Sequence, residues 1–224
     1  MRLMRRCLFL LPILILWSCG KAEDTAPSNY LMGAGATSPH SPNQPLLPSG
    51  PHAAALWNGV RQSSAWTNAV VSVVRARMGQ FDRARDVEEF CPGYGSASLT
   101  QREACWIRLI SAVSKFESSF NPRDTYREDN GRMSVGLLAL SNGECPEAKG
   151  SAGLKNPIGN LLCGTRIMAE LIARDGSIES PAPRRGASAY WSVLRRPYNH
   201  NGNRHGRRHQ IIQFTQQYRT YAPI

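Results

Sequence analysis

Glu117 is the residue of this chain best placed to do acid chemistry. Trp106, Ile110 and Val113 recur at steps of four and three residues, the spacing that keeps side chains on one helical face, and the next step of four reaches Glu117. A stripe that should face the protein interior therefore ends in an ionisable group. Burial disfavours the charged form of a carboxyl, so such a group keeps its proton closer to neutrality and can deliver it to a leaving oxygen. The same position also suits a partly exposed helix-end glutamate held in an ion pair.

Protonating a leaving oxygen is half of an acid-catalysed bond cleavage; the other half stabilises the positive charge left behind or positions water, often with a second acid. Glu128 and Asp129 are the nearby acids of workable spacing, since Asp124 follows the helix too closely. Read from the residues alone, both also fit as charged loop residues beside a turn. Serine chemistry is poorly supported, because Ser134 has no Gly-x-Ser-x-Gly elbow around it. His205 and His209 have a helical metal-ligand spacing but sit among arginines without a matching carboxylate, and His200 lies nearby. Surface histidines are the expectation, with no metal and no cofactor.

Five helical segments surround these candidates. Residues 53–78 carry Trp57, Val60, Trp66, Val70, Val71 and Val74, with a break expected near Ser63-Ser64. The helix leading to Glu117 should begin with a capping box at Thr100 and Glu103. Asn156 caps a third helix with Pro157 in its first position, and this helix runs toward Gly176. A shorter segment spans 186–195, and the last spans 207–218. Between the second and third helices, Arg123 to Met133 is polar and contains Asn130-Gly131, a strong hairpin turn signal. The expected fold class is mainly α, with a small β-hairpin beside the cleft.

The order of several motifs adds a resemblance. Glu117-Ser118 is followed by Asn121-Pro122, by Ser134-Val135-Gly136-Leu137-Leu138, by Asn156-Pro157 with Asn160-Leu161 and Gly164, and by Ala189-Tyr190-Trp191. Over residues 100–195 this order resembles the catalytic domain of the lytic transglycosylases (glycoside hydrolase family 23) and the goose-type lysozymes. The resemblance implies an α+β lysozyme-like domain that cleaves the β-1,4 bond between N-acetylmuramic acid and N-acetylglucosamine of peptidoglycan. It implies Glu117 as general acid and base, with Ser134, Leu138 and Tyr190 lining the sugar cleft. It favours a lytic transglycosylase, with a lysozyme-type hydrolase or a catalytically inactive wall-binding lipoprotein as alternatives. Goose-type lysozymes place an acid in the loop after the helix, which makes Asp129 a candidate second carboxylate. Ala139 stands where the family has a glutamine, a departure that removes one sugar contact.

The ends of the chain speak to compartment. Arg2, Arg5 and Arg6 precede an apolar run from Leu8 to Leu16 that is short for a bilayer-spanning helix, so residues 1–18 read as a signal peptide. Leu16-Trp17-Ser18-Cys19-Gly20 resembles a bacterial lipobox, with Cys19 as the lipidated residue. Residues 19–52 are rich in Pro, Ser, Gly and Asn and read as a flexible tether, leaving 53–224 for one domain. Cys91, Cys105, Cys145 and Cys163 then suit two disulfides of an oxidising compartment. Pairing Cys91 with Cys105 and Cys145 with Cys163 is favoured, because each closes a short loop around one candidate helix.

The formal charge is +11, and +8 once residues 1–18 are removed. No acid occurs from Ser180 onward, whereas Arg184, Arg185, Arg195, Arg196, Arg204, Arg207, Arg208 and Arg219 all do. Such a surface suits anionic partners, here the carboxylates of peptidoglycan or lipid head groups, and equally a merely solvated face. Export argues against nucleic acid. The expectation is a monomer, anchored through Cys19 in the outer rather than the inner membrane and facing the periplasm.

Overall fold

The computed structural model describes residues 51–141, 143–146, 148–180, 185–196 and 206–217. Cys19, the tether, His200, His205, Arg184, Arg204 and Arg219 lie outside the described residues. The described part is mainly helical, with one small antiparallel sheet.

Three helices frame the first half: α1 (Pro51–Ala54), then α2 (Ser63–Ala76), which starts where Ser63-Ser64 forecast a break, then α3 (Met78–Phe81). A further turn, α4 (Val87–Phe90), precedes the central helix α5 (Leu99–Ser118). The capping box of α5 sits earlier than expected. Ser98 Oγ accepts from the Gln101 backbone N–H, and the Gln101 side chain accepts from the Ser98 N–H at 2.8 Å. Glu103 turns inward instead: it is buried and receives Arg75 of α2 through Nε at 2.6 Å and Nη2 at 2.8 Å.

Helix α5 forms the middle of the core. Cys105, Trp106, Ile107, Leu109, Ile110, Ala112 and Val113 are all fully buried, so the apolar stripe is wider than a single helical face. It packs against α1, α2 and α8 (Arg207–Gln217). The Trp106 indole donates to the Tyr94 hydroxyl at 2.7 Å, which satisfies the polar end of a buried ring. A disulfide between Cys91 and Cys105 ties the end of α4 to α5.

The sheet follows directly. Strands β1 (Thr125–Arg127), β2 (Met133–Val135) and β3 (Leu140–Ser141) pair in that order. The hairpin around Asn130-Gly131 is the one the turn signal predicts; β3 is an addition that two residues could not announce. Register places Tyr126 opposite Ser134, and Ser134 opposite Ser141. After α6 (Gly150–Leu154), α7 (Pro157–Asp175) begins as expected, with Asn156 Oδ1 accepting from the Ile158 and Gly159 N–H groups. The Cys145–Cys163 disulfide ties the segment after β3 to α7. Both disulfides match the favoured pairing. The segment expected as one short helix over 186–195 is instead two 3₁₀ turns, Ala187–Ala189 and Ser192–Leu194.

Candidate active site

Helix α5 ends at a sharp reversal. Ser119 and Phe120 both adopt the left-handed backbone conformation, at φ 52° and 64°, which is uncommon for residues with side chains and is found where surroundings over-determine the chain. Two anchors hold this end. The Phe120 ring meets Trp57 edge-on with centroids 6.2 Å apart, and Ser118 Oγ donates to the carbonyls of Ser114 and Leu137 at 3.2 and 3.1 Å. Glu117, one residue before Ser118, is left half-buried at the wall of a groove of about 790 Å³.

The helical side of this groove supplies Phe116, Glu117, Ala189, Tyr190, Ser192, Arg195 and Arg207, with Trp191 beneath. The sheet side supplies Asp124, Tyr126, Glu128, Arg132, Ser134, Gly136, Ala139, Ser141 and Glu144. Tyr126 is 62% exposed and offers a flat ring at a polar groove.

Of the glutamates lining the groove, Glu117 and Glu128 are held in different environments. Burial pushes the Glu117 carboxyl up to about 7, against the smaller downward pull of Arg207 and Arg195. Glu128 moves the other way. Its Oε1 accepts from Ser134 Oγ at 2.5 Å and from Ser141 Oγ at 3.3 Å, while Asn130 Nδ2 donates to Oε2 at 3.1 Å. Foremost among these, the Ser134 hydrogen bond holds Glu128 below the usual carboxylate range. Near neutral pH Glu117 thus still holds a proton part of the time while Glu128 favours its ionised form, the division of labour that acid-assisted bond cleavage requires.

The candidates read from sequence distribute as follows. Glu117, Ser134 and Tyr190 all line the groove. Ser134 serves the second carboxylate, and the Tyr190 hydroxyl accepts from the Ser141 N–H at 2.9 Å. Asp129 is exposed at the hairpin turn and is not among the lining residues; its neighbour Glu128 occupies that place. Leu138 requires correction. It is fully buried, so its side chain cannot line a sugar cleft. His209, the one described member of the histidine cluster, lies in α8, outside the groove lining. Among the described residues no three His, Cys, Asp or Glu side chains gather as a metal site would need. No helix among them is long and apolar enough to cross a membrane.

The burial of Leu138 explains what the motif blocks do for the site. Asn160 of α7 is buried; its Oδ1 accepts from the Leu138 N–H at 2.9 Å, and its Nδ2 donates to the carbonyls of Val135 and Leu154 at 2.9 and 3.0 Å. The Trp191 indole donates to the Leu138 carbonyl at 2.9 Å. Gly136, at φ 79°, leaves only 2.4 Å between a hypothetical Cβ and both Asn160 Nδ2 and the Leu154 carbonyl, so no larger residue fits. At Gly164 a Cβ would meet Leu138 Cδ1 at 2.4 Å. Asn160, Gly164, Trp191 and Ser118 therefore converge on the 136–138 loop, and they hold the sheet against the end of α5. Ala139 follows in the left-handed conformation at φ 49°, with its small side chain at the groove.

Comparison with known proteins places this geometry. No family model and no curated protein matches the chain. Solved structures of Bd0314 DslA do. The wild-type form aligns with a TM-score of 0.65 and 29% identity over 75% of this chain and 97% of that one. Two DslA variants, each with a single glutamate replaced by glutamine, align with a TM-score of 0.64, at 30% identity over 74% of this chain and 96% of that one, and at 28% over 75% and 97%.

Proposed function

Because the chain belongs to the same family as DslA, we propose that it does its work with the paired glutamates of the groove, as a peptidoglycan-degrading enzyme that cleaves the β-1,4 glycosidic bond. The carrying observation is that Glu117 and Glu128 line one groove with opposite shifts in proton affinity. The glutamates replaced in the two DslA variants lie eleven residues apart, the spacing of Glu117 and Glu128 and of no other pair of glutamates in this chain. That coincidence supports treating both as working residues.

In this reading, Glu117 donates its proton to the glycosidic oxygen as the bond to the sugar carbon breaks, and the leaving sugar departs as an alcohol. Glu128, ionised and fixed by Ser134 and Ser141, stabilises the positive charge that develops on the ring. Water then adds to that carbon and returns a proton to Glu117. A second carboxylate at the groove favours hydrolysis. The motif order shared with lytic transglycosylases supports a second reading, in which the muramyl C6 hydroxyl takes the place of water. The enzyme would act at the cell envelope as a monomer, anchored through Cys19 and facing the periplasm.

Digestion of purified sacculi tests both readings. Wild-type protein should release muropeptides ending in reducing sugars, whereas anhydro-muramyl ends would establish the transglycosylase course. Glu117→Gln and Glu128→Gln should each lower the rate by at least about a hundredfold while remaining folded. Sacculi left intact by folded wild-type protein would overturn the enzymatic reading and leave a wall-binding lipoprotein.

A further inference from the structure

Two Arg-Arg pairs, Arg195-Arg196 and Arg207-Arg208, share an arrangement. In each, the first arginine lines the groove and the second reaches one buried carboxylate, Glu179. Arg196 Nε lies 2.9 Å and Arg208 Nε 2.7 Å from Glu179 Oε2, and the Arg196 backbone N–H donates to Oε1 at 2.8 Å. Both second arginines also reach Glu89, at 3.3 and 2.7 Å. The Glu179 side chain is only 4% exposed, so removing these arginines would leave a buried carboxyl group without its partners. Its position therefore fixes two separate chain segments relative to each other: the 3₁₀ turn before Arg195 and the first turn of α8.

The consequence falls on the groove. Arg195 is held further by its own hydrogen bonds, with Nε to the Ser188 carbonyl at 2.8 Å and Nη2 to the Ala189 carbonyl at 3.0 Å. A guanidinium carries five N–H donors in a fixed fork, so these two bonds orient Arg195 and leave it with donors to spare at the groove. Arg207 is exposed, and both arginines lie near enough to act on the Glu117 carboxyl. The sheet side of the groove instead carries the acids Asp124, Glu128 and Glu144, the last paired with Arg132 at 2.7 Å. Positive charge is thus in excess on the helical side, where two arginines flank Glu117, and negative charge on the sheet side, where three acids flank Arg132.

We propose that Arg195 and Arg207 form a subsite for carboxylate groups borne by the glycan, which gives the groove a preference for acid-substituted over neutral β-1,4-linked sugars. The inference rests on the peptidoglycan reading of the groove. Peptidoglycan offers such carboxylates from two sources: the lactyl group of muramic acid once its peptide is removed, and the free acids of the stem peptide while it remains. A neutral chitin oligomer of the same length offers none.

Binding to full-length Glu117→Gln protein, which spares the ligand, separates the cases. The probes are a neutral N-acetylglucosamine hexamer, a muramic-acid-containing hexamer stripped of peptide, and the same hexamer with its stem peptides. At least one carboxylated probe should bind about tenfold more tightly than the neutral one in about 50 mM salt, and the advantage should shrink in about 500 mM. A gain with the stripped probe assigns the lactyl carboxylate; a gain only with the peptide-bearing probe assigns the stem. Adding Arg207→Glu, at an exposed position outside the Glu179 cluster, should abolish the advantage. Equal binding of neutral and carboxylated probes, or an advantage that survives Arg207→Glu, would overturn the subsite and leave the glycan-cleaving reading standing. Failure of all three probes to bind would count against that reading itself.

Discussion

Replacing Glu117 with glutamine should make the protein more stable, and only at the pH where the acid is ionised. In an unfolded chain this carboxyl releases its proton near 4.5, whereas in the folded chain burial holds the proton until about 7. Between those values the folded state binds the extra proton, so stability falls as pH rises through the window, and the loss is complete above the folded value. The difference between 4.5 and about 7 corresponds to about 3 kcal/mol, at about 1.36 kcal/mol per tenfold change in proton affinity. Glutamine keeps the shape and the neutral charge of the protonated acid. Relative to wild type, Glu117→Gln should therefore be nearly neutral at about pH 4 and stabilising by about 3 kcal/mol at about pH 8.5, a rise in Tm of about 6–12 °C for a domain of this size. Thermal melts followed by circular dichroism at both pH values measure this directly. A Tm difference that is the same at both would refute the argument, because it would mean that the fold does not disfavour the ionised form.

The same two groups shape activity. Muropeptide release should fall about tenfold per pH unit above about pH 7 as Glu117 ionises, and the acid limb should lie below the ordinary carboxylate value because Glu128 is held low; a rate still rising at about pH 9 would contradict this. Asn160→Ala should destabilise by about 2–4 kcal/mol, since it removes three buried hydrogen bonds at once, and the loss should appear in denaturant melts together with lost activity as the 136–138 loop slackens. Replacing Cys145 and Cys163 by serine opens the loop that ties the segment after β3 to α7, which should cost about 3 kcal/mol; a midpoint unchanged in urea would show that the loop is held by other means.

What the sequence reveals, and what it hides, follows from the range of the interactions involved. Glu117 is legible because helical periodicity is local, and the disulfide pairing because each bridge closes a short loop. The hairpin is legible in Asn130-Gly131. Glu128 is not distinguishable from Asp129, because what selects it is the pair of hydroxyls from Ser134 and Ser141, and those come together only through β3. Two residues of strand leave no pattern to read. Leu138 misleads for a related reason: a motif shows which residues recur together, but its burial depends on Asn160, Gly164 and Trp191, which lie far along the chain. The capping box falls on Ser98 and Gln101 rather than on Thr100 and Glu103, and Glu103, apt for a cap by type, is buried and paired with Arg75 instead, a contact from another helix that local spacing does not show.

The central claim is that one groove holds Glu117 and Glu128 with proton affinities shifted in opposite directions. Carbon-13 NMR titration of the side-chain carboxyls, assigned through Glu117→Gln and Glu128→Gln, reads those affinities one residue at a time. The account predicts that Glu117 titrates near 7 and Glu128 below the ordinary carboxylate range. Titration of both groups together near 4.5, the ordinary glutamate value, would contradict it.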